Sequence, residues 1–185
     1  MAQPTIPTEN IVQTLKMLIG ACQSISLSFR DAADRLFSPS LKVLFGSYSL
    51  QWMRFVGDLQ IELDRYDSDA LDESIRKSPS LDSSPIPAEN GGEIIQPAAS
   101  SSNFQIIADL ENVIKAGNEI AILSAFIYGE NVVLDMYAAA LNQDFPPQLF
   151  HLLDKQHTEI KRLRTEIGLL CDPQNLPPIE QPTHI

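Results

Sequence analysis

At 185 residues, with 44% apolar side chains and a net charge of -11 at pH 7, the chain suits one domain with a sizeable core, since domains commonly hold about 100 to 150 residues. The acidic balance and a pI near 4.5 exclude duplex nucleic acid and anionic membrane surfaces as partners, because either would repel the protein before contact. Two cysteines argue against a disulfide framework; MAQPTIPTEN has no basic start, and no run approaches the roughly 18 uncharged apolar residues of a membrane span, so a cytoplasmic protein is expected.

The first helix begins near Thr8 to Asn10, after Pro4 and Pro7, with Thr8 as cap and Glu9 at the positive end of the helix dipole. It runs to about Phe37. Its apolar residues Ile11, Leu15, Leu18, Cys22, Ile25, Phe29, Ala32 and Leu36 step by three and four, which keeps them on one face. Ser38-Pro39 then reads as a cap and a proline at the first helical position, where the missing N–H costs nothing. The second helix therefore starts at once and forms an antiparallel hairpin with the first. Its stripe is Leu41, Phe45, Tyr48, Trp52, Phe55, Leu59 and Glu62, ending near Tyr66, and Trp52 and Phe55 are expected in the core.

From residue 67 to 102 the composition shifts to Ser, Pro, Asp, Glu and Gly, too little apolar surface to offset ordering entropy, and so predicts a flexible insertion inside the bundle. A plain spacer outweighs a phosphorylation or partner segment there. A short amphipathic helix follows at about 103 to 114 (Phe104, Ile107, Leu110, Ile114), stopped by Ala116-Gly117. Asn118 caps a third long helix reaching Leu141, with the stripe Ile120, Leu123, Ile127, Glu130, Leu134, Tyr137, Leu141. Asp144 to Pro147 repeats the grammar of cap and early proline and opens a fourth helix, Pro146 to Leu170, with the stripe Leu149, Leu153, Gln156, Ile160, Leu163, Ile167, Leu170. Residues 1–9 and the Pro-rich 171–185 are tails. The fold expected is all-α: a four-helix bundle over residues 10–170 made of two antiparallel hairpins joined by a long crossover.

Glu130 and Gln156 break two otherwise apolar stripes. Counted from Asp144 they stand at similar heights, about 21 and 18 Å from the turn at ~1.5 Å per residue, so they are expected to face each other. A buried carboxylate needs a partner, here Gln156, Tyr48, Tyr137 or a metal. The reading preferred is a hydrogen-bonded polar layer that fixes register. Two-iron bundles take a Glu from each of two helices and a Glu-x-x-His from each of the others, and here only Asp154-x-x-His157 comes near that motif. The first helix offers Ser24, Ile25 and Ser28 at the matching height, and the second offers Asp58 and Glu62 nearer one end. A two-metal centre needs more acid than this. The weak candidates for a single metal are Glu130, His157, Asp154 and Asp58, and Lys155, Lys161, Arg162 and Arg164 read as a solvated basic face.

The runs SFRDAADRLFSPSLKVLF and FVGDLQIEL, together with AGNEIAILSAFIYGENVVLDMYAAALNQDFPPQLFHLLDKQHTEIKRL, resemble a bacterial family of ferritin-like four-helix-bundle proteins of unknown function. The likeness spans roughly residues 10 to 66 and 103 to 170. Its most distinctive pieces are Phe29-Arg30, Ala32-Ala33, Gly129-Glu130, Tyr137, the turn at 141 to 147, and Gln156-His157. The resemblance implies the bundle and its crossover and no reaction. Family members show an acid-Gly pair on the first helix and an Arg on the second, where this chain has Ser24-Ile25 and Trp52, which makes it a poor metal-holding member.

The function expected is non-enzymatic, exerted through the surface or by self-association, with a stress-related role implied by the resemblance. No catalytic or cofactor-binding residue is assigned. The alternative is a degenerate redox protein holding iron or manganese on Glu130 and His157, with Asp58 or Asp154 assisting. A third reading is an interaction module that recruits a protein partner through the insertion and tail. A homodimer is the assembly expected, with neither nucleic acid nor membrane as partner.

Overall fold

A computed structural model describes residues 6–76 and 109–171, and those residues contain helices and no strand. The helices are α1 (Thr8–Arg35), α2 (Pro39–Arg76), α3 (helical over residues 109–116), α4 (Glu119–Leu141) and α5 (Pro147–Leu170).

Thr8 is the first helical residue of α1 and not its cap: Pro7 holds the cap position, with no side-chain bond, and its carbonyl accepts from the Asn10 and Ile11 amides. α1 stops where Leu36 turns extended, its N–H still bonded to the Ala32 carbonyl. Pro39 disfavours helical backbone at the residue before it, so the turn is short, and the Lys42 amide already bonds the Ser38 carbonyl at 3.0 Å. The Glu119 carboxylate accepts from the Phe37 and Ser38 amides, which ties this turn to the first residue of α4.

α2 runs to Arg76, ten residues past the expected end at Tyr66. Residues 67–76 hold Asp and Ser but neither Gly nor Pro, and the next proline is Pro79, so composition alone misplaced the boundary. The rest of the insertion, the start of the short helix at 103–108, and the tail beyond Cys171 lie outside the described residues. α3 ends at Gly117, whose φ of 73° is left-handed backbone that glycine adopts without strain. Asn118 caps α4, its side chain accepting from the Ala121 amide at 3.0 Å.

α1 packs on α2 and on α4, and α5 packs on α4 and on α2. Phe29 meets Phe45 while Ser26 meets Ser49, so α1 and α2 are antiparallel. Cys22 against Tyr137 and Phe29 against Phe126 make α1 and α4 antiparallel, and Tyr48 against Glu166 with Gln51 against Glu159 does the same for α2 and α5. α2 and α4 therefore run in the same direction.

The expected stripes of α1 and α5 are buried, Leu170 alone being only half so, and on α2 only Glu62 is incompletely covered. At the turn end, Phe29 stacks within 5.5 Å of Phe45, Tyr48 and Phe126, pairs that each add about 0.5–1.5 kcal/mol beyond their burial. α4 departs from its expected stripe. Ile120 is exposed and Ile127, Leu134 and Leu141 are half-buried, while Ile122, Phe126, Gly129, Val133, Met136 and Ala140 join Leu123, Glu130 and Tyr137 inside. α4 is apolar nearly all round, so several phases of a three-four step fit its sequence equally well and packing chooses among them. By length and composition it is also the one helix among the described residues able to cross a membrane, and 44% of its apolar stretch is buried in this fold.

Candidate functional site

Among the described residues two buried polar groupings centre on α4, and they sit at different heights. In the first, the Tyr137 hydroxyl donates to Gln156 Oε1 at 2.7 Å, and Gln156 Nε2 donates to the Phe55 carbonyl at 3.3 Å. Cys22 Sγ lies 3.4 Å from the Tyr137 oxygen. A phenol has one proton, already given to Gln156, so the thiol is the donor in that contact. The chain of bonds runs from α1 through α4 and α5 to α2 and touches all four long helices. Burial pushes the Cys22 thiol up to about 12. The Tyr137 phenol is raised well above its ordinary value by burial first, then by Cys22 and Asp58.

The second grouping centres on Glu130, fully buried with both carboxylate oxygens unpartnered. The expectation that Glu130 faces Gln156 fails: Gln156 pairs with Tyr137, and the next residue after Glu130, Asn131, accepts from Arg164 Nε at 2.6 Å. Glu130 thus stands opposite the stretch around Arg164, about 10 Å along the axis from Gln156 at ~1.5 Å per residue. Counting from Asp144 treated the connection as a symmetric hairpin, whereas Tyr137 is four residues from the end of α4 and Gln156 nine from the start of α5. Burial raises the Glu130 carboxyl to about 8, with the Arg164 charge lowering it and the Glu166 charge raising it. It is therefore mostly protonated at pH 7, which removes the larger cost of a bare charge in the core.

Above it the Tyr48 hydroxyl donates to Glu166 Oε2 at 2.9 Å. Burial, the Glu166 bond and charge, and Glu130 hold the Tyr48 phenol well above its usual range. Beside it Gly129 lets α1 approach: a Cβ there would stand 3.3 Å from Ile25 Cδ1.

The other candidate residues do not join Glu130. His157 is half-buried, at the height of Tyr137; burial and Lys161 depress its pKa while Asp154 raises it. Asp154 and Asp58 are exposed. Among the described residues no three His, Cys, Asp or Glu side chains come together as metal ligands, so the donor set does not fit a two-metal centre. In the basic patch, Arg162 pairs with Glu166 at 3.3 Å and Arg164 with Asn131.

Sequence reasoning missed two features. Ser26 and Ser49 exchange bonds with each other's carbonyls at 2.8 and 2.9 Å, locking α1 to α2; small hydroxyls beside a stripe give no periodic signal. A cleft of about 200 Å³ between α1 and α3 is lined by Ser24, Ser28, Asp31, Arg35, Glu111 and Lys115 among others, with the Ser24 and Ser28 hydroxyls already bonded to the carbonyls of Gly20 and Ser24. No family model, curated protein or solved structure matches the chain.

Proposed function

We propose that the chain is a non-enzymatic, ferritin-like four-helix bundle that acts through its surface, by self-association. The parallel course of α2 and α4 supports the crossover, because the end of α2 and the start of α4 then lie at opposite ends of the packed helices. The observation that carries the function is an apolar face turned outward on α2: Val43, Leu50, Met53 and Ile61 are 75, 66, 47 and 57% exposed. Contiguous exposed apolar surface on a folded domain marks an interaction site. The interior offers less, since the Cys22–Tyr137–Gln156 chain is satisfied by its own members and the acids are scattered.

A degenerate iron- or manganese-holding protein is the second reading, favoured by the two unpartnered oxygens of Glu130. Elemental analysis of protein purified without chelator separates the two. The non-enzymatic reading expects less than about one tenth of an equivalent of iron or manganese, below what a specific site would retain. Near-stoichiometric metal that Glu130→Ala removes would overturn it.

A further inference from the structure

We infer that the outer face of α2 is the interface with a second copy of this chain, the two α2 helices packing antiparallel across a two-fold axis near residue 52; this rests on the self-association reading above. Val43, Gly46, Leu50, Met53 and Gly57 alternate steps of three and four as a coiled-coil seam does, with Ile61 one further turn on, on the side of α2 opposite its core stripe. The order of residue kinds, β-branched, Gly, unbranched at Cβ, unbranched at Cβ, Gly, β-branched, is the same from either end, with the two halves differing by one residue in spacing. Antiparallel pairing sets Val43 against the partner's Ile61, Gly46 against the partner's Gly57 and Leu50 against the partner's Met53, the self-complementarity that a two-fold interface requires.

Two further observations favour this occupant and this direction. Gly46 and Gly57 have nothing within 4 Å of where a Cβ would stand, so the fold of the single chain gives no reason for them. Each costs a helix interior about 1 kcal/mol relative to Ala, and together they let a facing helix approach at both ends of the contact. Charge selects the direction. Lys42 lies at one end of the seam, and Asp58 and Asp64 lie towards the other, while Glu62, at the end of the core stripe, pairs with Arg65 at 2.7 Å. Antiparallel packing brings Lys42 beside the partner's acidic end, whereas parallel packing sets acids against acids. In a chain of net charge -11, the segment from Lys42 to Arg65 carries three charges of each sign, so copies meet here without the repulsion that acts elsewhere on the surface.

Sedimentation equilibrium over about 1 to 100 µM, the range for an interface of modest size, should show a dimer. Leu50→Glu should raise its dissociation constant about a hundredfold, since the two-fold buries the new charge twice, with the helical circular dichroism unchanged because Leu50 touches no core residue's place. Direction is read by disulfide cross-linking in a Cys171→Ser background: Val43→Cys and Ile61→Cys chains should cross-link when mixed and not when alone. Cross-linking of each variant with itself would overturn the antiparallel arrangement. A dimer untouched by Leu50→Glu would overturn this surface while leaving self-association standing, and a monomer at every concentration would overturn both. The metal content of the same preparations tests the non-enzymatic reading separately.

Discussion

Replacing Glu130 with Gln tests the buried carboxyl directly. In the unfolded chain this group titrates near 4.5, and in the folded protein near 8. Because the folded value is the higher one, the folded state holds the proton more tightly. Glu130 therefore leaves stability unaffected below about pH 4.5, and stability falls as pH rises from there towards 8, by at most about 1.4 kcal/mol per pH unit. Integrating between these values gives a loss of about 3 kcal/mol at pH 7. Gln has nearly the same shape and no proton to lose, so the variant has no such slope. Its own amide must still find partners, a cost common to all pH values, so the informative quantity is the change in the difference between the two proteins. Urea unfolding at pH 5 and pH 7.5 should show the variant gaining about 3 kcal/mol on the parent across that interval. A difference that stays constant within about 0.5 kcal/mol, the usual scale of error for such comparisons, would mean that Glu130 is ionised or paired in solution and that its isolation in the core is wrong.

Tyr137→Phe removes the hydroxyl that links Cys22 to Gln156 and leaves a buried amide oxygen and a thiol without partners. Urea unfolding should register a loss of about 1–3 kcal/mol, and a loss below about 0.5 kcal/mol would show that the bonds do not hold in solution. Cys22 is buried and its thiol stays protonated up to about 12, while Cys171 is partly exposed. A chromogenic disulfide reagent at pH 8 should therefore label one thiol per chain in the native state and both in denaturant, and rapid native labelling of Cys22 would contradict the closed core.

Much of the fold was legible because helix signals are local. Ser38-Pro39, Asn118, Gly117 and the prolines at 146 and 147 each act within a turn of their own position, and the stripes of α1 and α5 face the core because each has one apolar side and one polar side, while α2 buries the apolar stripe that carries its aromatic residues. Gln156 and Glu130 could be named as polar interruptions of the α5 and α4 stripes because each is a polar residue at an apolar step. The end of α2 at Arg76 was not legible, since Asp and Ser permit loop and helix alike and no breaker stands among residues 67–76.

The sequence by itself determined the number and order of the long helices, their approximate ends apart from the C-terminal end of α2, and which side of three of them is buried, because periodic apolar spacing is a property of one helix alone. Only the tertiary structure decided the phase of α4, the pairing of Tyr137 with Gln156, the isolation of Glu130 and the outward apolar seam of α2. Each of these depends on how far one helix slides and turns against its neighbours, which side-chain volume and the stagger of the α4–α5 connection set together, and a slide of two turns exchanges one partner for another without altering any local pattern.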